Sequence, residues 1–218
     1  MDKMRIVSMS DLHLGSPASM HRQFRSFLRK LPDGCVLIMN GDVVDVERRQ
    51  MPREHEEVLS DICAASFRLR IVWTGGNHDK EFVTGEPNRI EFAHSWNDGR
   101  IFFSHGDAFM PMLPLYRAFN KSVRFYRALR SPDFLCTVKL AKSMPAVFRI
   151  LKKASAAKAL RYARKHGYKT VVCGHLHEVM DLATRGGRYI NTGSWTEWPA
   201  YFLIYENGTA RLVQADGD

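Results

Sequence analysis

Five short runs of apolar and β-branched residues recur along the chain, at Arg5 to Met9, Cys35 to Met39, Arg70 to Thr74, Ile101 to Ser104 and Thr170 to Cys173. Each has the length of a buried strand and is too short for a helix. Between the first three lie amphipathic stretches, Met20 to Leu31 and Arg53 to Phe67, whose apolar positions recur with the 3.6-residue period of a helix lying on a sheet. This alternation predicts a layered α/β architecture. After His177 the texture changes: Arg185-Gly186-Gly187 and Glu206-Asn207-Gly208 read as turns between short strands, so the C-terminal part is expected to complete a sheet by hairpins.

The stretch from Met110 to Lys165 carries long helical patterns, broken near Ser131-Pro132 and Ser143-Met144-Pro145, and no strand signal. It reads as a helical insertion over residues 110–165 within one domain spanning residues 1–218. Met112, Tyr116, Phe119, Val123 and Tyr126 form one apolar row in it, with Leu115, Ala118, Phe125 and Leu129 adjoining. Arg117, Lys121, Arg124 and Arg127 fill the remaining circumference. The net charge of +9 is concentrated here, since fourteen Lys or Arg and the single acid Asp133 fall between Ala108 and His166. The rest of the chain holds eighteen basic and twenty-two acidic residues and is mildly negative. A solvated helix face over a core-packing stripe explains the stripe but not this bias, which fits a phosphate-rich substrate or an anionic surface.

With 218 residues, 45% of them hydrophobic, the chain can bury one substantial core. No run reaches the roughly eighteen apolar residues of a membrane-spanning helix, and the start, Met1-Asp2-Lys3-Met4-Arg5, has no secretory apolar region. The expected location is the cytoplasm, with peripheral contact to a membrane if the basic segment binds one. Cys35, Cys63, Cys136 and Cys173 form no C-x-x-C pair and read as reduced core residues.

The chemistry-bearing residues cluster directly after the five predicted strands, where an open α/β sheet gathers its functional loops. The clusters are Asp11-Leu12-His13, Gly41-Asp42-Val43-Val44-Asp45, Gly76-Asn77-His78-Asp79, His105-Gly106-Asp107 and Gly174-His175-Leu176-His177. Carboxylate, carboxamide and imidazole without thiolate suit divalent Mn, Fe or Zn at a catalytic rather than a structural site. Seven such groups exceed what one ion needs. In D-x-H and H-x-H, alternate residues of an extended segment would face one ion together. The glycines before Asp42, Asn77 and His175 are expected to let the backbone turn off each strand. His21, His55, His94 and His166 lie outside the clusters and read as solvated or structural, and Trp195 and Trp198 as packing residues.

Five blocks in this order resemble the calcineurin-like metallophosphoesterase superfamily, and they span Asp11 to His177. The resemblance implies a β-sandwich flanked by helices and a dinuclear centre in which Asp11, His13 and His177 bind one ion, Asn77, His105 and His175 bind the other, and Asp42 bridges them. It implies two divalent ions, Mn foremost, that polarise the phosphoryl group and activate a water for in-line attack. His78 would assist the leaving group, with Asp45 orienting its ring, and Asp79 and Asp107 would hold ligands in place. Within the superfamily, Ser10-Asp11-Leu12-His13-Leu14, the His105-Gly106-Asp107 block and the helical insertion before Gly174 look like the UDP-2,3-diacylglucosamine pyrophosphatases. That likeness implies a lipid-linked sugar pyrophosphate as substrate, with Arg117, Lys121 and Arg124 as substrate contacts. The competing readings are a phosphodiesterase or nuclease whose basic segment tracks a nucleic-acid backbone, and a scaffold that keeps the fold without turnover.

Overall fold

The computed structural model describes residues 5–45, 51–79, 82, 84–85, 87–111 and 142–217. Eleven strands are present among them, in two sheets. The first sheet runs β11-β10-β1-β2-β3-β4, where β1 is Ile6–Met9, β2 Val36–Asn40, β3 Arg70–Thr74, β4 Glu91–Ala93, β10 Tyr201–Glu206 and β11 Thr209–Gln214. The second runs β5-β6-β7-β9-β8, where β5 is Trp96–Asn97, β6 Ile101–Phe103, β7 Thr170–Cys173, β8 Val179–Thr184 and β9 Gly187–Thr192. All five strand runs read from the sequence are strands, and β1, β2 and β3 pair in parallel, as do β6, β7 and β9. The two C-terminal hairpins do not complete one sheet. The β8–β9 pair extends the second sheet, while β10–β11 crosses to the first and pairs antiparallel with β1.

Side-chain alternation along the strands builds the layers. Ile6, Val36, Ile38 and Val72 meet Ile101, Phe103, Val172 and Ile190 in the core between the sheets. Their neighbours Val7, Leu37, Met39, Ile71 and Trp73 face outward onto two helices, α1 (His21–Lys30) and α2 (Arg53–Ala65), through Phe24, Phe27, Leu28, Val58 and Ile62. Strands buried on both faces need near-continuous apolar runs, which is what their sequences show. Trp195 is fully buried against Phe24 and Phe27, a packing residue, whereas Trp198 is exposed. Cys35, Cys63 and Cys173 are buried free thiols.

The outer face of the second sheet is covered by α3 (Pro145–Lys165), which buries Ala156, Ala159 and Ala163 on Phe102, Val171, Cys173 and Tyr189. Small residues let this helix sit close to the sheet, so the C-terminal half of the 110–165 segment is a structural layer. Proline at its first turn and the absence of Gly until Gly167 set its limits. Residues 112–141, with Arg117, Lys121, Arg124, the apolar rows and Cys136, lie outside the described residues. Among the described residues no helix is long and apolar enough to cross a membrane.

Candidate metal centre

The parallel strands β1, β2, β3, β6 and β7 end at one edge of the sandwich, and the loops that follow them carry the five blocks. Backbone hydrogen bonds tie those loops together beyond the strands. Asp11 N–H donates to Gly41 O at 3.0 Å, His13 N–H to Asp42 O at 3.0 Å and Leu14 N–H to Val43 O at 2.8 Å, so the first two blocks are zipped side by side. Gly174 N–H donates to His105 O at 2.8 Å, joining the last two.

The ligand candidates do not converge by strand alternation. Asp11 (φ 57°), His13 (φ 50°), Asp42 (φ 52°), His175 (φ 69°) and His177 (φ 48°) all have left-handed backbones. The only other such non-glycine residue among those described is Asn207, in the Asn207-Gly208 hairpin turn. Each D-x-H and H-x-H pair therefore converges through two left-handed residues, a conformation that Asp, Asn and His tolerate better than most, at a cost of about 1–2 kcal/mol apiece. Of the three preceding glycines, Gly41 alone has a positive φ, 84°. At Gly76 and Gly174 the missing side chain makes room instead: a Cβ there would lie 2.1 Å from Asp42 Oδ1 and 2.3 Å from Asp11 Oδ2.

Three overlapping groups of side chains result, Asp11-His13-His177, Asp42-His105-His175 and, spanning them, His13-Asp42-His78, each with candidate ligand atoms within 4.8 Å of one another. In the first, His177 Nε2 lies 3.2 Å from both Asp11 Oδ1 and His13 Nε2. In the second, His105 Nε2 lies 3.1 Å from Asp42 Oδ2 and 3.2 Å from His175 Nδ1. The His175 backbone N–H donates to both oxygens of Asp11, at 3.2 and 3.0 Å, which couples the groups. Asn77 stands on the turn after β3 but is exposed, so only its backbone position places it at this edge.

The residues fit divalent cations by their hydrogen-bonding roles. His13 Nδ1–H donates to the Asp45 carboxylate at 2.8 Å, and His105 Nδ1–H to the Asn40 backbone carbonyl at 3.1 Å. A carboxylate and a carbonyl can only accept, so in either ring Nδ1 carries a hydrogen and Nε2 is the atom free to lose its own to a cation. Without a cation the ring can instead take up a proton and donate from Nε2 to the carboxylate of its group, so a bound cation would stand where that proton does.

His78 extends this network. Its Nδ1 lies 2.9 Å from the same Asp45 Oδ1, its backbone N–H donates to Asp42 Oδ1 at 2.9 Å, and its Nε2 is 3.8 Å from Asp42 Oδ2. Asp79 points away from the cluster, and its carboxylate accepts from the backbone N–H groups of Asp42, Val43, Val44 and Gly76 and from Trp73 Nε1. Asp107 opens a single 3-10 turn, Asp107–Phe109, after Gly106. Nothing in the sequence marked Asn40, whose side chain donates to Ser104 O and Val172 O and so fixes β2 against the second sheet beneath the site.

A separate histidine-acid group, His21-Glu54-His55, lies beside α1 and α2. Gly15 N–H donates to His55 Nδ1 at 2.7 Å, so in the neutral ring Nε2 carries the hydrogen, and it lies 3.1 Å from His21 Nδ1. That pattern leaves His55 Nε2 no lone pair for a cation. The pair is a structural chain that ties the Asp11-Leu12-His13 loop to both helices.

Burial alone would push the Asp11 carboxyl up, but the His177 and His105 charges outweigh it and hold it at about 2. Burial is likewise overcome at Asp42, chiefly by His105, and at Asp45 by His13 and His78, and both are held low. Burial also opposes charge on His105, yet Asp42 raises it to about 10, whereas at His175 burial and the His105 charge lower it to about 4. The signs follow from linkage. The depressed Asp11 contributes stability above its ordinary 3.8 that is lost as pH falls toward 2. The raised His105 contributes stability below its ordinary 6.5 that is lost as pH rises toward 10. The depressed His175 removes stability as pH falls from 6.5 toward 4. Thermal melts of the chelator-treated chain should therefore peak near pH 6.5, and a Tm still climbing toward pH 10 would contradict this assignment.

A two-sheet α/β sandwich with carboxylates and imidazoles gathered at the carboxyl ends of its parallel strands defines a metal-binding phosphoesterase architecture. The model of the calcineurin-like phosphoesterase superfamily domain matches residues 4–208, and the chain belongs to that superfamily. Among solved structures it is similar to an archaeal phosphodiesterase, at 17% identity over 97% of this chain and 99% of that one, with a TM-score of 0.51. It is also similar to a cold-active protein-tyrosine phosphatase of a psychrophilic Shewanella species, at 13% identity over 98% of this chain and 80% of that one, with a TM-score of 0.52. The phosphoesterase Yfce from E. coli is 17% identical over 98% of this chain and 100% of that one, with a TM-score of 0.48. At these identities the likeness is one of fold. No curated protein matches the chain.

Proposed function

We propose that the chain is a dinuclear-metal-dependent phosphoesterase that hydrolyses a phosphoester or pyrophosphate bond with metal-activated water. The observation that carries this reading is the pair of carboxylate-imidazole groups, buried, mutually coupled and held on left-handed backbones at the edge where five strands end. Asp11, His13 and His177 would hold one cation, Asn77, His105 and His175 the other, with Asp42 between them. Two bound divalent ions, Mn foremost with Fe or Zn as alternatives, supply Lewis acidity to the phosphoryl oxygens and acidify water. His78, its Nδ1 anchored on Asp45, presents Nε2 on the Asp42 side of the cluster and would donate a hydrogen bond to the leaving oxygen.

The substrate reading is a lipid-linked sugar pyrophosphate of the UDP-2,3-diacylglucosamine type. The end of α3 nearest the site supports it. There Arg149 and Lys153 are exposed with no acid beside them, and Met144 and Ile150 are exposed among them, while Arg161, Arg164 and Lys165 extend the basic face toward the start of β7, away from the site. Lys152 pairs with Glu178, the residue after His177, at 2.7 Å, and Lys142 pairs with Glu197, so this basic helix is fastened next to the loops of the site. A cationic face with apolar side chains suits an anionic amphiphile at a membrane surface. Arg117, Lys121 and Arg124 are proposed substrate contacts on sequence grounds.

The test is hydrolysis of a UDP-diacyl-sugar in detergent beside bis-p-nitrophenyl phosphate, with Mn²⁺ titrated into chelator-treated protein and bound metal counted. Turnover of the lipid in preference to the diester, appearing as two ions bind per chain, is the expected result. Turnover of the diester alone would transfer the reading to a phosphodiesterase or nuclease. Failure to bind metal or to turn over either substrate would leave only the scaffold.

A further inference from the structure

The two sheets differ at the edge opposite the metal centre, where β1, β3, β6, β7 and β9 begin. At the start of the first sheet the cations are neutralised: Arg5 pairs with Glu206 at 2.9 Å, Arg68 with Asp33 at 3.1 Å and Arg70 with Glu91 at 2.9 Å. At the start of the second sheet Arg100, Arg164, Lys165, Lys169 and Arg185 are exposed, and none has a carboxylate within ion-pair distance among the described residues. Their neighbour Arg188 is paired with Asp181 at 2.6 Å. Asp98, two residues before Arg100, turns one carboxylate oxygen to the backbone N–H groups of Arg100 and Ile101, at 2.8 Å each. The backbone gathers these segments. Lys169 N–H donates to Arg100 O at 2.7 Å, Arg188 N–H to Lys169 O at 2.9 Å and Gly167 N–H to Arg164 O at 3.4 Å. Arg185 stands in the β8–β9 hairpin turn, where a Cβ on Gly187 would lie 3.0 Å from Lys169 O.

The helix dipole accounts for Arg164 and Lys165, which lie in the last turn of α3, but not for Arg100, Lys169 or Arg185, which lie in loops. Like charges gathered this way repel one another until an anion joins them. Aromatic rings lie among them. The exposed His166 ring lies against Tyr162 with centroids 4.1 Å apart, held by its Nδ1–H, which donates to Tyr162 O at 2.8 Å, and Tyr168 stacks on Phe102 at 5.1 Å. Cations interleaved with rings suit a chain of phosphates that carries flat bases. A bilayer suits them less, because interfacial binding also inserts apolar side chains, and none of the large exposed apolar residues among those described lies in these segments. We propose that this end of the second sheet is a docking surface for single-stranded nucleic acid, in which Arg100, Arg164, Lys165, Lys169 and Arg185 hold phosphates and His166 is a stacking platform. The length of β7, four residues or about 13 Å, separates it from the edge that carries the metal centre, and it does not rest on the metal reading. A strand held here is not thereby a substrate.

Fluorescence anisotropy of a labelled oligothymidylate of about twenty nucleotides, with the full chain in chelator, tests this. Five phosphate contacts, each adding about 0.7 to the salt slope, predict roughly a hundredfold loss of affinity between about 50 and 200 mM salt. Lys165→Glu/Lys169→Glu should weaken binding at least about tenfold and flatten that salt dependence. Arg149→Glu/Lys153→Glu makes the same change of charge at the other end of α3 and should stay within about threefold of wild type. His166→Ala should weaken binding about tenfold at an unchanged salt slope. Equal losses in the two double variants, or a His166→Ala protein that binds like wild type, would overturn the proposal. So would a wild type that ignores the oligonucleotide at the lower salt; if that protein instead binds phosphatidylglycerol vesicles and Lys165→Glu/Lys169→Glu does not, the surface is a membrane contact.

Discussion

Gly76→Ala should reduce metal-dependent hydrolysis by at least about a hundredfold, although it replaces no proposed ligand and adds one methyl group. A Cβ at this position would lie 2.1 Å from Asp42 Oδ1 and 2.5 Å from the Asp42 backbone nitrogen. A flexible side chain could swing away from a 2.1 Å contact, but the backbone nitrogen cannot, because the Asp42 loop is fixed by its bond to His13 and by Asp79. The carboxylate placed between the two groups must therefore move, taking with it its contacts to His105 and to the His78 backbone. Gly85→Ala is the control, since nothing lies within 4 Å of a Cβ there. Steady-state rates at saturating Mn²⁺ for the two variants decide the matter, and a Gly76→Ala enzyme within a few-fold of wild type would refute this account of the glycine.

Asp79→Ala should produce the largest loss of stability, about 4 kcal/mol, read by denaturant unfolding of the chelator-treated chain. The buried Asp79 carboxylate accepts from four backbone N–H groups and the Trp73 indole at 2.6 to 3.3 Å. Removing it leaves several buried donors without an acceptor, each costing about 1–3 kcal/mol where water cannot replace the carboxylate. Burial and the Asp42 charge push the Asp79 pKa up, so its oxygens are tuned by their five donors against an unfavourable setting. Asp79→Asn should recover part of the loss, because its carbonyl oxygen can still accept from some of these donors while its amide nitrogen meets them as a further donor. A melt for Asp79→Ala that overlays wild type would show that water has taken over the site.

The framework and much of the cluster were legible because the chemistry follows directly on strands whose runs are apolar on both faces. Asp11, Asp42, Asn77, His105 and His175 each fall within a few residues of such a run, so the parallel pairing of β1-β2-β3 and of β6-β7 delivers them to one edge. What could not be read was how the side chains converge. Strand alternation was the available rule for Asp11 and His13, yet left-handed backbones do the work, and φ has no signature in an Asp or His that tolerates either sign. Gly76 and Gly174 looked like turn formers, but their role is an absent Cβ beside a carboxylate that is distant in sequence. The three-residue β4 and two-residue β5 gave no periodic signal at all, and the partition of two similar hairpins between two sheets is decided by β1 accepting β10 as a neighbour.

The left-handed backbones also bear on the history open to such a chain. Five of the proposed metal-holding residues sit where glycine or asparagine would be more comfortable, so each is a small standing penalty on folding that the proposed metal binding would offset. A lineage that lost its catalytic duty and kept the fold for assembly alone would gain stability by drifting at these positions, one neutral step at a time. Asp11, His13, Asp42, His175 and His177 are all in place in left-handed conformations, the arrangement that the proposed metal chemistry would need and that folding by itself does not favour.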